Sequence, residues 1–367
     1  MSTDLIVLSH LRWTSTWQRP HHIVSRLARS RRTWFVEEPT AGAVDAPRAA
    51  LHRHGDVTRT WIELPAGYPG RGLLDPATTR RQLAELIGPA DGERIVWMTT
   101  PLAHEAASHL DARVLVYDAT DDLLSPDGVA LDVATAQKAA LTAADVVLTG
   151  SPSLHRRVIE HGRPDAYLVP DGVDPAHFAT ARSRRRPHPR PVAAHIGPID
   201  GRLDRDLLAA LAHHLADWDI WMVGALDGID GAGLPQAPNL GYLGPQPYAD
   251  LPDLMAGVDV AIVPLSIAAA DRSTGATTTL EYLAAGLPVV ATPVPDVVTQ
   301  FGTLVDVQDD AAAFAGACVA ALHQDARRRQ QRVAPLLRRR HWDTVVDEVT
   351  AILRDAGSRP RLEDLLT

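Results

Sequence analysis

A single cysteine, Cys318, stands among 367 residues, which excludes an internal disulfide and any cysteine-held metal cluster. Its setting, AFAGACVAAL, is that of a packed helix. Lysine is almost missing as well: Lys138 is the only one, and arginine carries nearly all the positive charge, a bias of the kind GC-rich coding produces. No window approaches the ~18 apolar residues of a membrane span, and the N-terminus runs into LIVLS without a charged region and cleavage site, so the expectation is a cytoplasmic chain. No GxGxxG follows a strand-like run, which argues against a dinucleotide oxidoreductase. The formal charge of −9 argues against a non-specific grip on nucleic acid.

What is present is an alternation of short apolar runs and helix-like stretches from end to end, the pattern of parallel α/β sheets. In the first half Leu5–Leu8, Trp34–Val36, Ile95–Met98, Val114–Tyr117, Val146–Thr149 and Tyr167–Val169 read as strands. Pro20–Ala28, Thr78–Ile87, His104–Leu110, Leu131–Ala143 and Ser153–His161 read as helices. The arginine- and proline-rich stretch from Ala179 to Pro191 breaks the pattern and reads as a linker. A second series follows, with strands at Val192–Ile196, Ile220–Val223, Gly241–Leu243, Val258–Val263 and Val289–Ala291. Its helices are expected near Arg205–Ala216, Tyr248–Met255, Thr278–Ala285 and Ala311–Leu322. The expected organisation is thus a domain over 1–180, a linker over 181–191 and a second domain over 192–340. Two Rossmann-sized α/β domains should bind ligands outside the carboxyl ends of their strands, with both sets of loops facing a cleft.

The most informative segment is Thr277 to Asp296, TTTLEYLAAGLPVVATPVPD. Leu280, Leu283 and Ala284 recur at i, i+3, i+4, so a helix here has an apolar stripe for a sheet, and Glu281 falls off that stripe. Gly286 stops the helix, and Leu287–Thr292 is a β-branched run of the kind buried in a parallel sheet. A carboxylate held this way can accept two hydrogen bonds from a pair of ribose hydroxyls. EYLAAGLPVVATPVPD resembles the donor segment of retaining, family-four-like GT-B glycosyltransferases. The fold this implies is two Rossmann-like domains facing a central cleft, with a C-terminal helix, 341–367 here, crossing back to the N-terminal domain. The resemblance further implies a nucleotide-diphosphate sugar as co-substrate, no other cofactor and no bound metal.

Other segments extend the resemblance. SHLRWTSTWQRPHHIVSRLA follows the first strand, and its WQRPHH is similar to a segment of bacterial glycosyltransferases of cell-surface polysaccharide pathways, the teichuronic-acid type included. Pro20 suits a first helical turn, which places Arg19 and His21 where an acceptor or phosphate would meet the helix N-terminus. A packing role for Trp17 and Arg19 weighs about equally. VLVYDATDDLLSPDG sets Asp118, Asp121 and Asp122 at or beyond a strand's carboxyl end, where they serve either acceptor binding and acid/base work or ordinary turns and caps. Relatives of the WQRPHH type show a similar segment. His104 is the candidate for the family's cleft histidine. VPDGVDPAHF resembles the family's interdomain hinge, with Asp171-Gly172 read as a tight turn whose glycine supplies φ > 0.

In the second domain Gly197, between a strand and a helix, can bring backbone N–H groups to a phosphate. Here the chain departs from the family. Pro198 takes the usual arginine position, no lysine is present, and Arg202 is the basic substitute. Ser273 replaces an acidic residue eight positions before Glu281, and Thr278 a frequent lysine. Arg272, Ser273 and Thr274 are the expected replacements at the donor phosphates, and Leu243 lies in the segment that resembles the base-binding region.

The resulting expectation is a glycosyltransferase that moves a sugar from a nucleotide-diphosphate donor to a glycan, lipid-linked glycan or natural-product acceptor with retention. Asp121 or His104 orients the reacting hydroxyl, Arg19, His21 and Asp122 meet the acceptor, and Glu281 fixes the donor ribose. The rivals are a catalytically inactive nucleotide-binding or partner subunit, and an epimerase or hydrolase of the same architecture. The sequence leaves room for peripheral membrane contact and does not set an oligomeric state.

Overall fold

Strands buried on both faces read as continuous apolar runs, and two parallel sheets are built from such runs. The computed structural model describes residues 3–68, 82–83, 85–88, 92–120, 131–186, 188–267 and 276–359. The chain divides into one unit of Met1–Gly150, Leu154–Pro170 and Val345–Thr367 and a second of Ser151–Ser153 and Asp171–Thr344.

In the first unit the strands are β1 (Asp4–Ser9), β2 (Arg32–Glu37), β3 (Thr40–Ala41), β4 (Arg48–His54), β5 (Val57–Leu64), β6 (Arg94–Met98), β7 (Val114–Ala119), β8 (Val146–Thr149) and β9 (Tyr167–Leu168). Their order is β3-β5-β2-β1-β6-β7-β8-β9, with β4 antiparallel on β5 and the rest parallel. Leu5 of β1 sits between Thr33 of β2 and Ile95 of β6. The β4–β5 hairpin is absent from the sequence reading. Its signal is Gly55-Asp56 at the turn, where Gly55 has φ +62°, the left-handed turn conformation glycine adopts without steric cost.

The second unit has β10 (Val192–Ile196), β11 (Asp219–Val223), β12 (Leu240–Tyr242), β13 (Val260–Val263), β14 (Val289–Ala291) and β15 (Asp306–Val307), ordered β12-β11-β10-β13-β14-β15 and all parallel. Because side chains alternate along a strand, β10 sends Val192, Ala194 and Ile196 into one core and Ala193 into another. β13 and β14 divide in the same way, with Val263, Val289 and Ala291 on the first face and Val260, Ile262 and Val290 on the second.

Helices α1 (Arg19–Leu27), α2 (His104–Ala107), α3 (Leu131–Ala143) and α4 (Pro152–Glu160) are followed by α5 (Pro175–Ser183), α6 (Arg205–His214), α7 (Leu251–Met255), α8 (Ala276–Ala285), α9 (Pro295–Phe301), α10 (Ala311–Ala321), α11 (Ala326–Arg339) and α12 (Trp342–Ser358). The expected linker over 181–191 is corrected at its start. Helix α5 runs through Ser183, and the arginines are tethered: Arg182 Nη1 donates to Ala284 O at 2.6 Å, Arg184 pairs with Asp253 at 2.5 Å, and Arg185 Nη1 donates to Val258 O at 2.7 Å. The expected helix Thr78–Ile87 lies mostly outside the described residues.

Gly172 requires a second correction. It is not among the glycines with positive φ. A Cβ there would lie 2.7 Å from the Trp342 indole, so glycine is needed for close packing. Backbone bonds from Val173 N to Arg340 O at 2.7 Å and from Trp342 N to Val173 O at 3.1 Å hold the two segments together.

Candidate functional site

In the second sheet the chain leaves β10 toward β11 and β12 and then returns to β13 on the other side. That reversal makes the carboxyl ends of β10 and β13 the switch point, where open α/β sheets take ligands. Three loops meet there edge to edge. Gly197 N donates to Val223 O at 2.8 Å, and Gly224 N donates to Gly244 O at 3.0 Å. A Cβ on Gly224 would stand 1.8 Å from Gly197 O, so only glycine allows this approach. Leu243, directly after β12, is 45% exposed, an apolar surface at the same end of the sheet.

Helix α8 is fastened to this end by Tyr282, which is fully buried. Its hydroxyl accepts from Ile196 N at 2.7 Å and donates to Ile196 O at 2.9 Å, and burial holds its pKa far above the ordinary phenol value. Sequence reading passed over Tyr282, although it stands beside Glu281. Thr278, one turn earlier, lies against Gly197: its Cγ2 is 3.3 Å from where a Cβ would be. Gly286 follows the helix at φ +81°, as expected for a glycine stop.

Glu281 is half-buried on α8. Burial, with the charge of Asp171 behind it, pushes its pKa up to about 8, because desolvation and a like charge both penalise the carboxylate. Asp171 itself accepts from the Thr277 hydroxyl at 2.5 Å. Sequence reading treated Asp171 only as a turn residue, and its place beside Glu281 carried no local signal. An acid in this state can bind a vicinal diol by giving up its proton and accepting two hydrogen bonds.

The loop after β10 is tied to the loop after β13: Asp204 N donates to Pro264 O at 2.9 Å and Ser266 N to Arg202 O at 2.8 Å. Arg202 is not a solitary cation. Its Nε and Nη2 grip Asp200 Oδ1 and Oδ2 at 2.9 and 2.5 Å, a bidentate pair that a phosphate must share or replace. His195 beneath this loop is buried, with its ring nitrogens 3.4 Å from Ile262 O and Pro198 O, and burial lowers its pKa. A neutral imidazole has one N–H, so it donates to one of these carbonyls at a time.

In the first unit the WQRPHH residues are braces. Arg19 is buried, with Nε bonding both oxygens of the buried Asp118 at 3.0 and 3.2 Å and Nη1 donating to Val169 O at 2.7 Å. His21 is fully buried: Nδ1 accepts from Gln18 N at 3.1 Å, Nε2 lies 3.0 Å from Arg12 O, and burial pulls its pKa down. The ring stacks on Trp17 and on Phe35. Both side chains help hold the loop after β1, and the bonds of Arg19 accord with the packing role weighed for Trp17 and Arg19. Glu37, at the end of β2, takes Arg59 Nε at 2.7 Å, Arg12 Nη1 at 3.3 Å and Trp13 N at 2.9 Å.

His104 opens α2 after β6 and lines a cavity of ≈ 620 Å³ with Pro101, Glu105, Asp132 and Thr135. Asp121, Asp122, Arg272, Ser273 and Thr274 lie outside the described residues. Among the described residues no group of three His, Cys, Asp or Glu side chains is gathered as for a metal ion. No helix among them is long and apolar enough to cross a membrane.

Two parallel-sheet units of this order, with a carboxyl-bearing helix at the second sheet's switch point, define a GT-B protein. Solved structures agree in fold: the sucrose-phosphate synthase of Thermosynechococcus elongatus (TM-score 0.70, 15% identity, covering 97% of this chain and 99% of the other), and the E. coli trehalose-6-phosphate protein bound with UDP-2-fluoro glucose (TM-score 0.69, 12% identity, 97% and 99%). Residues 201–324, all within the second unit, are similar to the family described as glycosyl transferases group 1. The chain is 27% identical over 227 residues to the Bacillus subtilis (strain 168) protein assigned to teichuronic acid biosynthesis as the glycosyltransferase TuaH. That match covers 56% of this chain and 57% of the relative, so the chain spans little more than half of the curated protein it resembles.

Proposed function

We propose that this chain transfers a sugar from a nucleoside-diphosphate sugar to an acceptor hydroxyl, with retention at the anomeric carbon. The observation that carries this reading is helix α8, which sets Thr278 against the Gly197 turn at the switch point of the second sheet and carries Glu281 within the field of Asp171. Glu281 takes the donor ribose diol, and Leu243 supplies an apolar surface for the base. The backbone at Gly197 and the guanidinium of Arg202 face the diphosphate, with Arg272, Ser273 and Thr274 completing its surroundings. The bond from the anomeric carbon to the diphosphate breaks as one to the acceptor oxygen forms, and the acceptor's proton passes to the leaving phosphate oxygen. Charge grows on the leaving phosphate, and its stabilisation is the largest contribution asked of the protein. His104 and Asp121 orient the acceptor hydroxyl, and Asp122 belongs to the same segment. The acceptor is a glycan, a lipid-linked glycan or a natural product, and a sugar phosphate joins them because a structural relative was solved in complex with glucose-6-phosphate.

The test is acceptor-dependent release of nucleoside diphosphate. UDP-sugars come first, because a structural relative was solved with UDP-2-fluoro glucose. Release only with acceptor present supports transfer. Conversion of the donor without acceptor points to epimerase or hydrolase chemistry. The engagement of Arg202 by Asp200 favours one further reading, a nucleotide-binding subunit without turnover, and binding without release under every donor and acceptor supports that instead.

A further inference from the structure

Between Ala326 and Arg340 the sequence holds seven arginines and no acidic residue, within a chain of formal charge −9. Most of the segment is helix α11. Val333 and Leu336 are buried and hold the helix to the second unit. At about 100° per residue, Arg327, Arg328, Arg332, Arg338 and Arg339 fall within roughly 140° of arc, and all five are exposed. The strip is about 21 Å long for 14 residues.

The helix dipole favours Arg338 and Arg339 in the last turn, but internal stability does not account for the rest of this arrangement. Arg327 and Arg328 sit in the first turn with no acidic residue there, where the helix dipole is positive and cations are unfavourable. Asp325, the N-cap, accepts from the N–H groups of Arg327 and Arg328 at 2.8 and 3.2 Å and offsets only part of that cost. No glutamate or aspartate lies within the helix to form an i,i+4 pair, whereas a helix face that is merely solvated interleaves both signs. Arg329 and Arg332 are partly committed, to the Gly286 and Thr303 carbonyls. Arg327, Arg328, Arg338 and Arg339 remain to meet something outside.

We propose that this face of α11 docks the protein on a bilayer bearing anionic phospholipid headgroups. A convex basic ridge can set four or five guanidinium groups on a planar anionic surface at once. The same ridge has no aromatic side chain on which a base could stack.

The test is co-sedimentation of the full chain with phosphatidylcholine vesicles, with and without 25% phosphatidylglycerol. Binding is expected only with the anionic lipid and should be lost in about 0.5 M salt, where charges more than a few ångströms apart are screened. Each arginine near such a surface contributes roughly fivefold in partitioning, so Arg327→Gln, Arg328→Gln, Arg338→Gln and Arg339→Gln together should weaken it by several hundredfold. The four lysine replacements should restore it, with unfolding temperature unchanged in both sets. Equal sedimentation of wild type and the glutamine variant overturns the proposal. So does failure of wild type to bind anionic vesicles at low salt, and binding of polygalacturonate without binding of vesicles would give the strip to an acidic polymer.

Discussion

Replacing Glu281 by glutamine should make the protein more stable above neutral pH while removing its hold on nucleotide. The folded-state pKa of Glu281 is raised from 4.5 to about 8 by burial and by Asp171. The fold therefore favours the protonated acid, and this side chain's contribution is fully present below the unfolded value and lost as pH rises through the folded one. At ~1.4 kcal/mol per pH unit the full displacement is about 5 kcal/mol, and because Glu281 keeps a side open to solvent we expect ~2 kcal/mol. Glutamine is neutral throughout and lacks the slope. By thermal unfolding, Glu281→Gln should match wild type near pH 5 and melt about 4–8 °C higher near pH 8.5. Nucleoside diphosphate should bind wild type more tightly as pH rises from 6 to 8, because the diol needs the carboxylate, and should bind the variant weakly at every pH. A difference of the same size at pH 5 and pH 8.5, or a variant less stable at pH 8.5, would refute the buried-acid account.

Four further outcomes follow from the same geometry. Asp118→Ala leaves Arg19 buried without its carboxylate and should cost about 3–5 kcal/mol, measured by denaturant unfolding; Arg19→Ala should cost a similar amount. Gly224→Ala forces a Cβ onto Gly197 O and should abolish nucleotide binding by titration calorimetry while lowering the melting temperature. Cys318, buried and with its thiol pushed up to about 12, should react with a thiol reagent only on unfolding. Asp200→Asn releases Arg202 from its bidentate partner and should tighten nucleoside diphosphate relative to nucleoside monophosphate, read as a ratio of dissociation constants.

Much of the fold was legible because parallel strands are buried on both faces and show as short apolar runs. The runs at Leu5–Leu8, Val114–Tyr117 and Val289–Ala291 all became strands. The β4–β5 hairpin escaped because β4 is largely exposed and polar, so it carries no such run. The end of helix α5 was masked by Arg182 and the arginines that follow the helix, which read as linker until their carbonyl and carboxylate partners were placed. The site was legible in part. The glycines and the EYLAAG helix were visible as local pattern, and Gly286 stops that helix as expected. The burial that raises Glu281, and the enclosure of Arg19, depend on residues far away in sequence: Asp118 is 99 positions from Arg19. Gly172 shows the same limit, since the indole that demands it belongs to Trp342.

The central claim is that the switch point of the second sheet holds a nucleoside diphosphate through Glu281. Calorimetric titration of UDP, GDP, TDP and ADP into wild type and Glu281→Gln at pH 8 tests it most directly. The account predicts that one base binds wild type and that the variant loses about tenfold or more, the ~1.5–3 kcal/mol of hydrogen bonds to a charged group. Equal binding by both proteins, or binding of none of the four to wild type, would contradict it.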